Sequence, residues 1–481
     1  MVLMHFHIEE ATIRDIQAAF ESGGLTSRQL TLMYMERIAD YDKAGVALNA
    51  VLELNPDALY IAERCDMERS IGHKRGPLHG VPVLLKDNIH TADNMHTSAG
   101  ALALADTYAA NDAFLVTLLR KAGAVLLGKT NMTELANFMT RGMPNGFSSR
   151  GGQVLNPYGP GKFPPGGSSS GSAVAAAANL CAAAVGTETS GSILNPAHRN
   201  SLVGIKPTVG LVSRSGIVPI SYTQDTAGPL ARTVEDAAIL LGVMAGADPE
   251  DPATLLSENR VPADYTVSLD PAGLRGARIG INRGYMQDFN EEEQALFEQA
   301  VRTLSEAGAD IVDNANLPHI ADHSSVLLYE FKSALNRSLA SLGPQAHVKT
   351  LRDIITFNQQ HHEKTLKYGQ TLLLQAEYET SGTLTESKYI QDRLRDWRAS
   401  REEGIDRLLA EHKLDAIFCP GVTDSPAVAG YPAIIVPAGF RQDGLPFGAA
   451  FTASAYSEPA LLRFAYAFEQ ASRARRPPVL S

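Results

Sequence analysis

Cysteine is scarce in this sequence. Only Cys65, Cys181 and Cys419 occur among 481 residues, and no two of them form a C-x-x-C pair that would indicate a zinc site or a thiol-exchange site. An odd and small number of cysteines in a long chain excludes a disulfide scaffold and is typical of a reducing compartment. We therefore expect a cytoplasmic protein.

Excess positive charge and long apolar runs are also missing. The chain has 42 Lys and Arg against 53 Asp and Glu, a net charge of -11, so no basic field would hold nucleic acid or anionic lipid. The most apolar stretch, residues 173–185, is interrupted by Asn179 and falls far below the ~20 residues of a membrane span. The N-terminal sequence MVLMHFHIEE has neither the basic start nor the apolar core of a signal peptide. We expect no nucleic-acid partner and no membrane association.

The residues that are present, 44% hydrophobic and 20% charged, are typical of a globular chain that buries a large core. The length would suit about three domains, although a single large α/β domain often exceeds the usual ~150 residues. Predicted strands alternate with predicted helices, which indicates an α/β fold. We expect strands at 81–85, 124–127, 201–205, 277–281, 416–419, 433–436 and 448–451, and helices at 113–121, 173–184, 291–307 and 459–472, with two more within 11–44 and mainly helical structure over 324–411. Thr233 and Asp236 form a capping-box pattern that starts a further helix, which ends at residue 244.

Two segments interrupt this alternation. Residues 248–271 are rich in Pro, Asp and Glu and are predicted to form an exposed linker. Residues 142–172 contain nine glycines and five prolines and have no hydrophobic period. Because a loop of this length between ordered elements is usually functional, we expect the second segment to carry the chemistry.

A serine cluster ends this loop. Gly167-Ser168-Ser169-Ser170-Gly171 matches the G-x-S-x-G pattern with which an α/β-hydrolase presents its nucleophile, here Ser169, on a turn after a strand. Two prolines at 164–165 precede the cluster, and prolines do not belong in a central strand. The alternative is that Ser169, Ser170 and Ser172 are turn and cap residues of the helix that follows.

A second serine cluster, Gly186-Thr187-Glu188-Thr189-Ser190-Gly191-Ser192-Ile193, follows the alanine-rich stretch. Together the two clusters resemble the amidase signature family. The segments GPLHGVPVLLKDNI upstream, and AGYPAIIVPAGF and FAYAFEQAS near the C-terminus, extend this resemblance over essentially the whole chain. Within the family, the sequence is most similar to the peptide-amidase-like bacterial enzymes.

The resemblance implies one α/β domain over residues 1–481, with a large mixed β-sheet flanked by α-helices on both faces. It assigns a helical N-terminal part to 8–70, the signature core with the catalytic residues to 71–250, a helical substrate-entrance region to 320–411, and the last core strands and helix to 412–481. We expect a monomer or a homodimer that uses no cofactor and no metal.

The same resemblance implies a catalytic triad of Ser192, Ser168 after a cis peptide bond, and Lys86. A serine hydroxyl is a weak nucleophile unless a base removes its proton, and Lys86 can act as that base only when it is neutral. The apolar residues Val81 and 83–85 would desolvate Lys86 and lower its pKa from ~10.4 toward ~7 to 8. Strand alternation predicts that the neighbouring Asp87 faces the other side of the sheet. Ser168 would then relay the proton between Lys86 and Ser192.

The resemblance also implies an oxyanion hole built from the backbone amides of Thr189, Ser190, Gly191 and Ser192, in which one lost donor costs ~3 to 4 kcal/mol of transition-state stabilisation. Small side chains in this turn would let the backbone approach the substrate. Asp225 is expected to fix the loop behind the nucleophile by hydrogen bonds.

Three further residues invite a functional interpretation. Cys181, within the alanine run, is expected to be a small core residue. His319 and His323 have the spacing of a helical metal pair, but residue 320 is Ile and no third ligand is evident in the sequence. We therefore do not expect a metal site.

The implied activity is hydrolysis of carboxamide C–N bonds, in peptide C-terminal amides or small aryl and alkyl amides, through an acyl-enzyme, with esters or carbamates as additional substrates. Many members of the family carry glycine where this chain has Ser190, and arginine where it has Leu194. The missing arginine predicts a neutral pocket and weakens one alternative, an A-type subunit of an amidotransferase. The other alternative is a non-catalytic amidase-like scaffold, against which the presence of all three triad residues argues. The short stretch GVTDSP after Pro420 predicts a wide mouth to the site.

Overall fold

Eleven strands form one mixed β-sheet in the computed structural model, which describes residues 6–320, 324–342 and 346–480. In chain order the strands are β1 (Val51–Leu54), β2 (Pro82–Lys86), β3 (Val125–Thr130), β4 (Phe147–Ser148), β5 (Gly152–Gln153), β6 (Ala183–Glu188), β7 (Val203–Lys206), β8 (Thr226–Ala231), β9 (Arg278–Ile281), β10 (Asp310–Val312), β11 (Ala416–Pro420), β12 (Ala433–Phe440) and β13 (Pro446–Thr452). β4 and β5 form a separate hairpin, and the order across the large sheet is β1-β3-β2-β6-β8-β7-β12-β13-β11-β9-β10.

Sixteen α-helices occur in the described part of the chain. They are α1 (Ile13–Glu21), α2 (Ser27–Arg37), α3 (Ala58–Ser70), α4 (Phe114–Lys121), α5 (Ser170–Ala177), α6 (Leu194–Arg199), α7 (Val234–Met244), α8 (Glu291–Glu306), α9 (Val326–Ala340), α10 (Leu351–Gln360), α11 (His362–Thr365), α12 (Thr371–Glu379), α13 (Ser387–Ser400), α14 (Asp406–His412), α15 (Ser425–Ala429) and α16 (Glu458–Ser472). Across these same residues, none of the helices has the length and hydropathy that crossing a bilayer requires.

The central strands of the sheet are buried along their whole length. Because strand side chains alternate between the two faces, complete burial requires a layer of helices on each face. Among the helices packed on the sheet, α5 lies against β6, α7 against β8, and α16 against β12. One hydrophobic core runs through these layers from Ile8 to Phe468, so the chain forms the single α/β domain that the sequence predicts.

All seven predicted strands belong to the sheet, but the predicted helix at 173–184 is wrong in its second half. α5 ends at Ala177, Asn179 takes a left-handed conformation with φ 57, and β6 begins at Ala183. β6 pairs parallel to β2 and antiparallel to β8. Alanine has a high helix propensity, but propensity is a weak preference that these tertiary pairings override. β1, β8 and β10 also lie outside the predicted strands.

The predicted exposed linker at 248–271 is wrong as well. Asp251 forms an ion pair with Arg214, and Ser213 Oγ donates a hydrogen bond to Asp248 Oδ2 at 2.5 Å. Tyr265 is buried in the main core. The proline and acidic residues suggested solvent exposure. In the structure, however, the carboxylates of Asp248 and Asp251 bind Ser213 and Arg214, so the segment packs on the domain.

Of the two hydrogen bonds in the predicted capping box of α7, one is present. Thr233 Oγ1 accepts a hydrogen bond from Asp236 N at 3.1 Å, as predicted. The Asp236 carboxylate, however, accepts from Ile13 N at 2.9 Å and so connects α7 to the start of α1. Burial raises the pKa of Asp236 to about 6.

A smaller apolar cluster connects the helical region after residue 320 to the loops above the sheet. Side chains of α9, α10 and α12 pack there with residues from the 99–143 segment and with Val218 and Ile220. This packing places α9 beside the loop over 215–222, which also faces the candidate site.

Candidate active site

Lys86 is the last residue of β2 and is fully buried. Its Nζ donates hydrogen bonds to Ser168 Oγ at 2.8 Å, and to Ser169 Oγ and Thr187 Oγ1 at 2.9 Å each. Parallel pairing of β2 with β6 brings the carboxyl ends of both strands to one edge of the sheet, so Thr187 approaches Lys86 from β6. One amine and three hydroxyls therefore meet at this point.

The surroundings of Lys86 favour its neutral form. Burial lowers the pKa of Lys86 to about 7, whereas the carboxylates of Glu188 and Asp225 act in the opposite direction. Asp87 faces away, as predicted, and its carboxylate accepts a hydrogen bond from Gly100 N at 3.0 Å. Near neutral pH, a substantial fraction of Lys86 is therefore an unprotonated amine.

The loop that carries Ser168 is held on both sides of that residue. The Gly167–Ser168 peptide bond is cis, as the family resemblance predicts. Gly167 N donates to Asn195 Oδ1 at 3.1 Å, and Thr133 N donates to Ser168 O at 3.1 Å. Ser168 is fully buried, so its hydroxyl is fixed against Lys86.

Ser169 does not occupy a nucleophile elbow. Instead of being presented by a strand, it precedes α5, and its fully buried hydroxyl donates to Thr187 O at 3.0 Å while it accepts from Lys86. The prediction that the loop serines are turn and N-cap residues of α5 is confirmed in position for Ser169, which is the N-cap residue, but these side chains do not cap the helix. Ser169 makes no side-chain cap bond, Ser170 Oγ donates to Gly166 O at 2.5 Å, and Ser172 Oγ donates to Val185 O at 3.0 Å. Ser169 is thus a direct partner of Lys86 that sequence reasoning missed.

Ser192 lies in the turn between β6 and α6 and is 7% exposed. Its carbonyl accepts a hydrogen bond from Ser169 N at 3.1 Å, which connects the two serine clusters. In the described residues, the Ser192 hydroxyl itself makes no hydrogen bond, so the structure joins Lys86 to Ser168 but does not join Ser168 to Ser192. Catalytic hydrogen bonds are often completed only when substrate binds.

Glu188 holds the turn that carries Ser192. Its carboxylate accepts hydrogen bonds from three backbone amides, Gly191 N at 2.8 Å, Ile193 N at 2.7 Å and Leu194 N at 2.9 Å. These amides lie on both sides of Ser192, so one side chain fixes the turn and the start of α6. The Gly191 amide is therefore engaged by Glu188 in this structure, and the oxyanion hole of residues 189–192 stays a prediction.

Asp225 supports the same turn from behind, as predicted. Its Oδ1 accepts a hydrogen bond from Thr189 Oγ1 at 2.5 Å, and its Oδ2 accepts from the amides of Ile220 and Ser221 at 2.8 and 2.9 Å. Gln224 Nε2 also donates to Thr189 O at 3.2 Å. Burial raises the pKa of Asp225 to about 6.

A cavity of about 590 Å³ opens beside this turn. Its wall includes residues 187–189, the loop 214–222, residues 250–252 of the segment that the sequence predicts as a linker, and the C-terminal half of α9 with Arg337. Arg214, on the same wall, is paired with Asp251. The cavity therefore extends from the end of β6 to α9 of the predicted substrate-entrance region, and Lys86, Ser168 and Ser192 are not among the residues that line it.

Leu194, Cys181 and His319 were each discussed in the sequence analysis, and none of their side chains contacts Lys86 or Ser168 in the described residues. Leu194 is 2% exposed and packs in the main core, so its side chain does not line the cavity, and the neutral pocket stays a prediction. Cys181 is a fully buried core residue, as predicted. His319 is exposed and stacks on Tyr285 with 3.8 Å between ring centroids, and His323 lies outside the described residues.

The short GVTDSP segment borders the serine turn. A Cβ atom placed on Gly191 would lie 3.5 Å from Val422 Cγ1. Asp424 in the same segment accepts hydrogen bonds from Tyr285 OH and from Ile320 N, the latter at 2.8 Å. The segment is therefore packed beside the turn of Ser192, at the position where its length would affect the mouth of the site.

Comparisons with known proteins identify the class to which this fold and site belong. A family model described as Amidase matches residues 29–427. The chain therefore belongs to the amidase signature family and is an amidase.

Three similar proteins illustrate the range of that family. The peptide amidase of Stenotrophomonas maltophilia has 48% identity and a TM-score of 0.94, with 98% of this chain and 99% of that chain covered. A probable amidase of Arabidopsis thaliana is 43% identical over 98% of this chain and 92% of its own length. The A-type subunit of the glutamyl-tRNA(Gln) amidotransferase of Cereibacter sphaeroides is 35% identical over 96% of this chain and 97% of its own length.

Sequence reasoning missed two residues that organise the site, Glu188 and Ser169. Glu188 left a signal, because an acidic residue shortly before a helix start is well placed to accept the free amides of the first turn. No signal in the sequence pointed to Ser169. Three adjacent serines carry the same hydroxyl group, and only the path of the loop decides which hydroxyls reach Lys86.

Proposed function

We propose that this amidase hydrolyses neutral carboxamides, namely C-terminal amides of peptides and small aryl or alkyl amides, through an acyl-enzyme on Ser192. The observation that carries the proposal is the fully buried Lys86, whose Nζ is 2.8 Å from Ser168 Oγ and whose pKa is lowered by burial to about 7. A buried lysine that is partly neutral and touches a serine has the properties of a general base.

In the proposed mechanism, neutral Lys86 accepts the proton of Ser168 as Ser168 accepts the proton of Ser192. The Ser192 oxygen attacks the amide carbonyl carbon and forms a tetrahedral intermediate. The backbone amides of Thr189, Ser190 and Ser192 stabilise its oxyanion, while Gly191 N remains bound to Glu188. The proton returns through Ser168 to the leaving nitrogen, which departs as ammonia or an amine. Water then attacks the acyl-enzyme by the same proton path and releases the carboxylic acid.

The proposed substrate class is supported by similarity. Identity to the Stenotrophomonas maltophilia peptide amidase is 48%, against 35% to the amidotransferase relative. We propose esters and aryl carbamates as additional substrates, because they present the same carbonyl group to Ser192.

We expect a peptide amide and an anilide to be hydrolysed with a higher kcat/KM than free glutamine. The measurement is a panel of a peptide amide, an anilide, a p-nitrophenyl ester, an aryl carbamate and glutamine, with product release followed for each. Efficient turnover of glutamine alone would instead favour the amidotransferase-type activity. Failure of the folded protein to hydrolyse any member would contradict the proposal.

We expect losses from Ser168→Ala and Lys86→Ala to be non-additive. The two groups act on one proton, so once one is lost the other has little left to contribute. The measurement is kcat for a peptide amide in both single variants and in the double variant. If the fold decrease of kcat in the double variant equals the product of the fold decreases in the two single variants, Ser168 does not relay the proton to Lys86.

A further inference from the structure

Glu330 is a fully buried carboxylate of α9 that has no part in the proposed proton path. Its oxygens accept hydrogen bonds from Tyr389 OH at 2.9 Å, from Thr223 Oγ1 at 3.1 Å, from Thr223 N at 3.2 Å and from Ser221 Oγ. Because a buried carboxylate is costly unless its oxygens accept hydrogen bonds, these donors are strongly held. Three of the four donors lie on one loop, so Glu330 fixes that loop to α9.

The loop that Glu330 holds is connected by two routes to the turn after β6. In the first, Ser221 N donates to Asp225 Oδ2 at 2.9 Å, and Asp225 Oδ1 accepts from Thr189 Oγ1 at 2.5 Å. In the second, Gln224 N donates to Ser221 Oγ at 3.2 Å, and Gln224 Nε2 donates to Thr189 O at 3.2 Å. Both routes begin at Ser221 and end at Thr189.

Thr189 is the residue of that turn at which a small displacement would matter most. Its backbone amide is one of the three proposed oxyanion donors, and such donors act only within a narrow range of distances from the oxyanion. Glu188 holds the other end of the turn through Gly191 N and Ile193 N. The end at Thr189 depends instead on the hydrogen bonds that lead back to Glu330.

The helix that carries Glu330 also lines the cavity. Ala334 and Ser338 belong to the cavity wall and follow Glu330 by four and eight residues. Residues four apart in an α-helix share a face, so the face of α9 that borders the cavity is the face that binds the loop. A single helix therefore shapes the cavity and supports the turn.

We propose that Glu330 is a positioning residue for amide hydrolysis, which fixes the Thr189 amide toward the oxyanion through Ser221, Asp225 and Gln224. The inference rests on the proposed function, in which the amides of Thr189, Ser190 and Ser192 stabilise the oxyanion. It gives the helical region 320–411 a second role, because α9 then supports the catalytic turn in addition to bordering the substrate entrance.

The test is kcat and KM for a peptide amide in wild type, Glu330→Gln, Thr189→Val and the double variant. Glutamine places an NH2 group, which is a donor, among the donors that now bind the carboxylate. We expect kcat to fall roughly tenfold in Glu330→Gln while KM stays within about twofold, because the weakened interaction belongs to the transition state. Since both substitutions act on the same turn, the fold decrease of kcat in the double variant should be smaller than the product of the single decreases.

Tyr389→Phe is the matched control, because it removes the one donor to Glu330 that lies outside the loop. Its kcat should stay within about twofold of wild type. Ser221→Ala is the second variant if Glu330→Gln does not fold. It removes the hydroxyl that joins Glu330 to Gln224 N, and it should lower kcat with little change of KM.

Three results would overturn the inference. They are a folded Glu330→Gln protein with the kcat of wild type, a double variant whose fold decrease equals the product of the single decreases, and a loss in Tyr389→Phe as large as that in Glu330→Gln. Failure of wild type to hydrolyse the peptide amide, without a fluorophosphonate adduct on Ser192, would instead refute the proposed function. The two failures are therefore distinguishable.

Discussion

Replacing Ser192 with alanine is expected to lower kcat for a peptide amide by roughly 10⁴-fold or more, because no hydroxyl remains to form the acyl-enzyme. The fold should persist, since in the described residues the Ser192 side chain makes no hydrogen bond whose loss would destabilise the turn. Its carbonyl would still accept Ser169 N, and Glu188 would still hold the neighbouring amides. The measurement is kcat together with circular dichroism of the folded protein.

Mass spectrometry after fluorophosphonate treatment provides the direct check of Ser192. Wild type should carry the adduct on the peptide that contains Ser192, and the Ser192→Ala protein should carry none. Ser70→Ala, which changes an exposed serine at the end of α3, is the matched control and should be labelled like wild type. An adduct on Ser169 would contradict the assignment and favour the α/β-hydrolase interpretation.

Replacing Lys86 with methionine is expected to lower kcat/KM by roughly 10³-fold or more, since the base that activates the serines is lost. In wild type, activity should rise with pH through about 7, because burial lowers the pKa of Lys86 to about 7 and only the unprotonated amine accepts a proton. Below that pH the ammonium predominates and activity falls. The measurement is kcat/KM as a function of pH in both proteins.

The rising limb near pH 7 should disappear from whatever activity Lys86→Met retains. Lys121→Met, at the exposed end of α4, is the control for loss of a lysine and should keep both the rate and the limb. A folded Lys86→Met protein with the wild-type rate would show that another group acts as the base.

The sequence by itself determined the fold class and named the candidate residues of the site. Apolar runs ending at Lys86, at Cys419 and at Val436 mark strands whose burial on both faces follows from their hydrophobic content. The serine clusters and the lysine segment resemble the motifs of the amidase signature family, and this resemblance named Lys86, Ser168 and Ser192 before any geometry was known. The position of Asp87 followed from strand alternation alone, because that period is a property of the backbone.

The tertiary structure decided what depends on partners distant in sequence. Residues 183–188 form a strand because β2 and β8 flank them, although their alanines favour a helix. Residues 248–271 belong to the domain because Arg214 pairs with Asp251. The Pro, Asp and Glu content of a segment can be read from its sequence, whereas its solvent exposure depends on which other segments pack against it.

The roles of Glu188 and Ser169 and the burial of Lys206 also required the tertiary structure. A sequence shows an acid near a turn, a serine among serines and a lysine at a strand end. It does not show that the acid binds Gly191 N, that Ser169 Oγ is 2.9 Å from Lys86 Nζ, or that Lys206 is fully buried. Hydrogen bonds and desolvation are properties of distance and enclosure, and both are set only when the strands and loops come together.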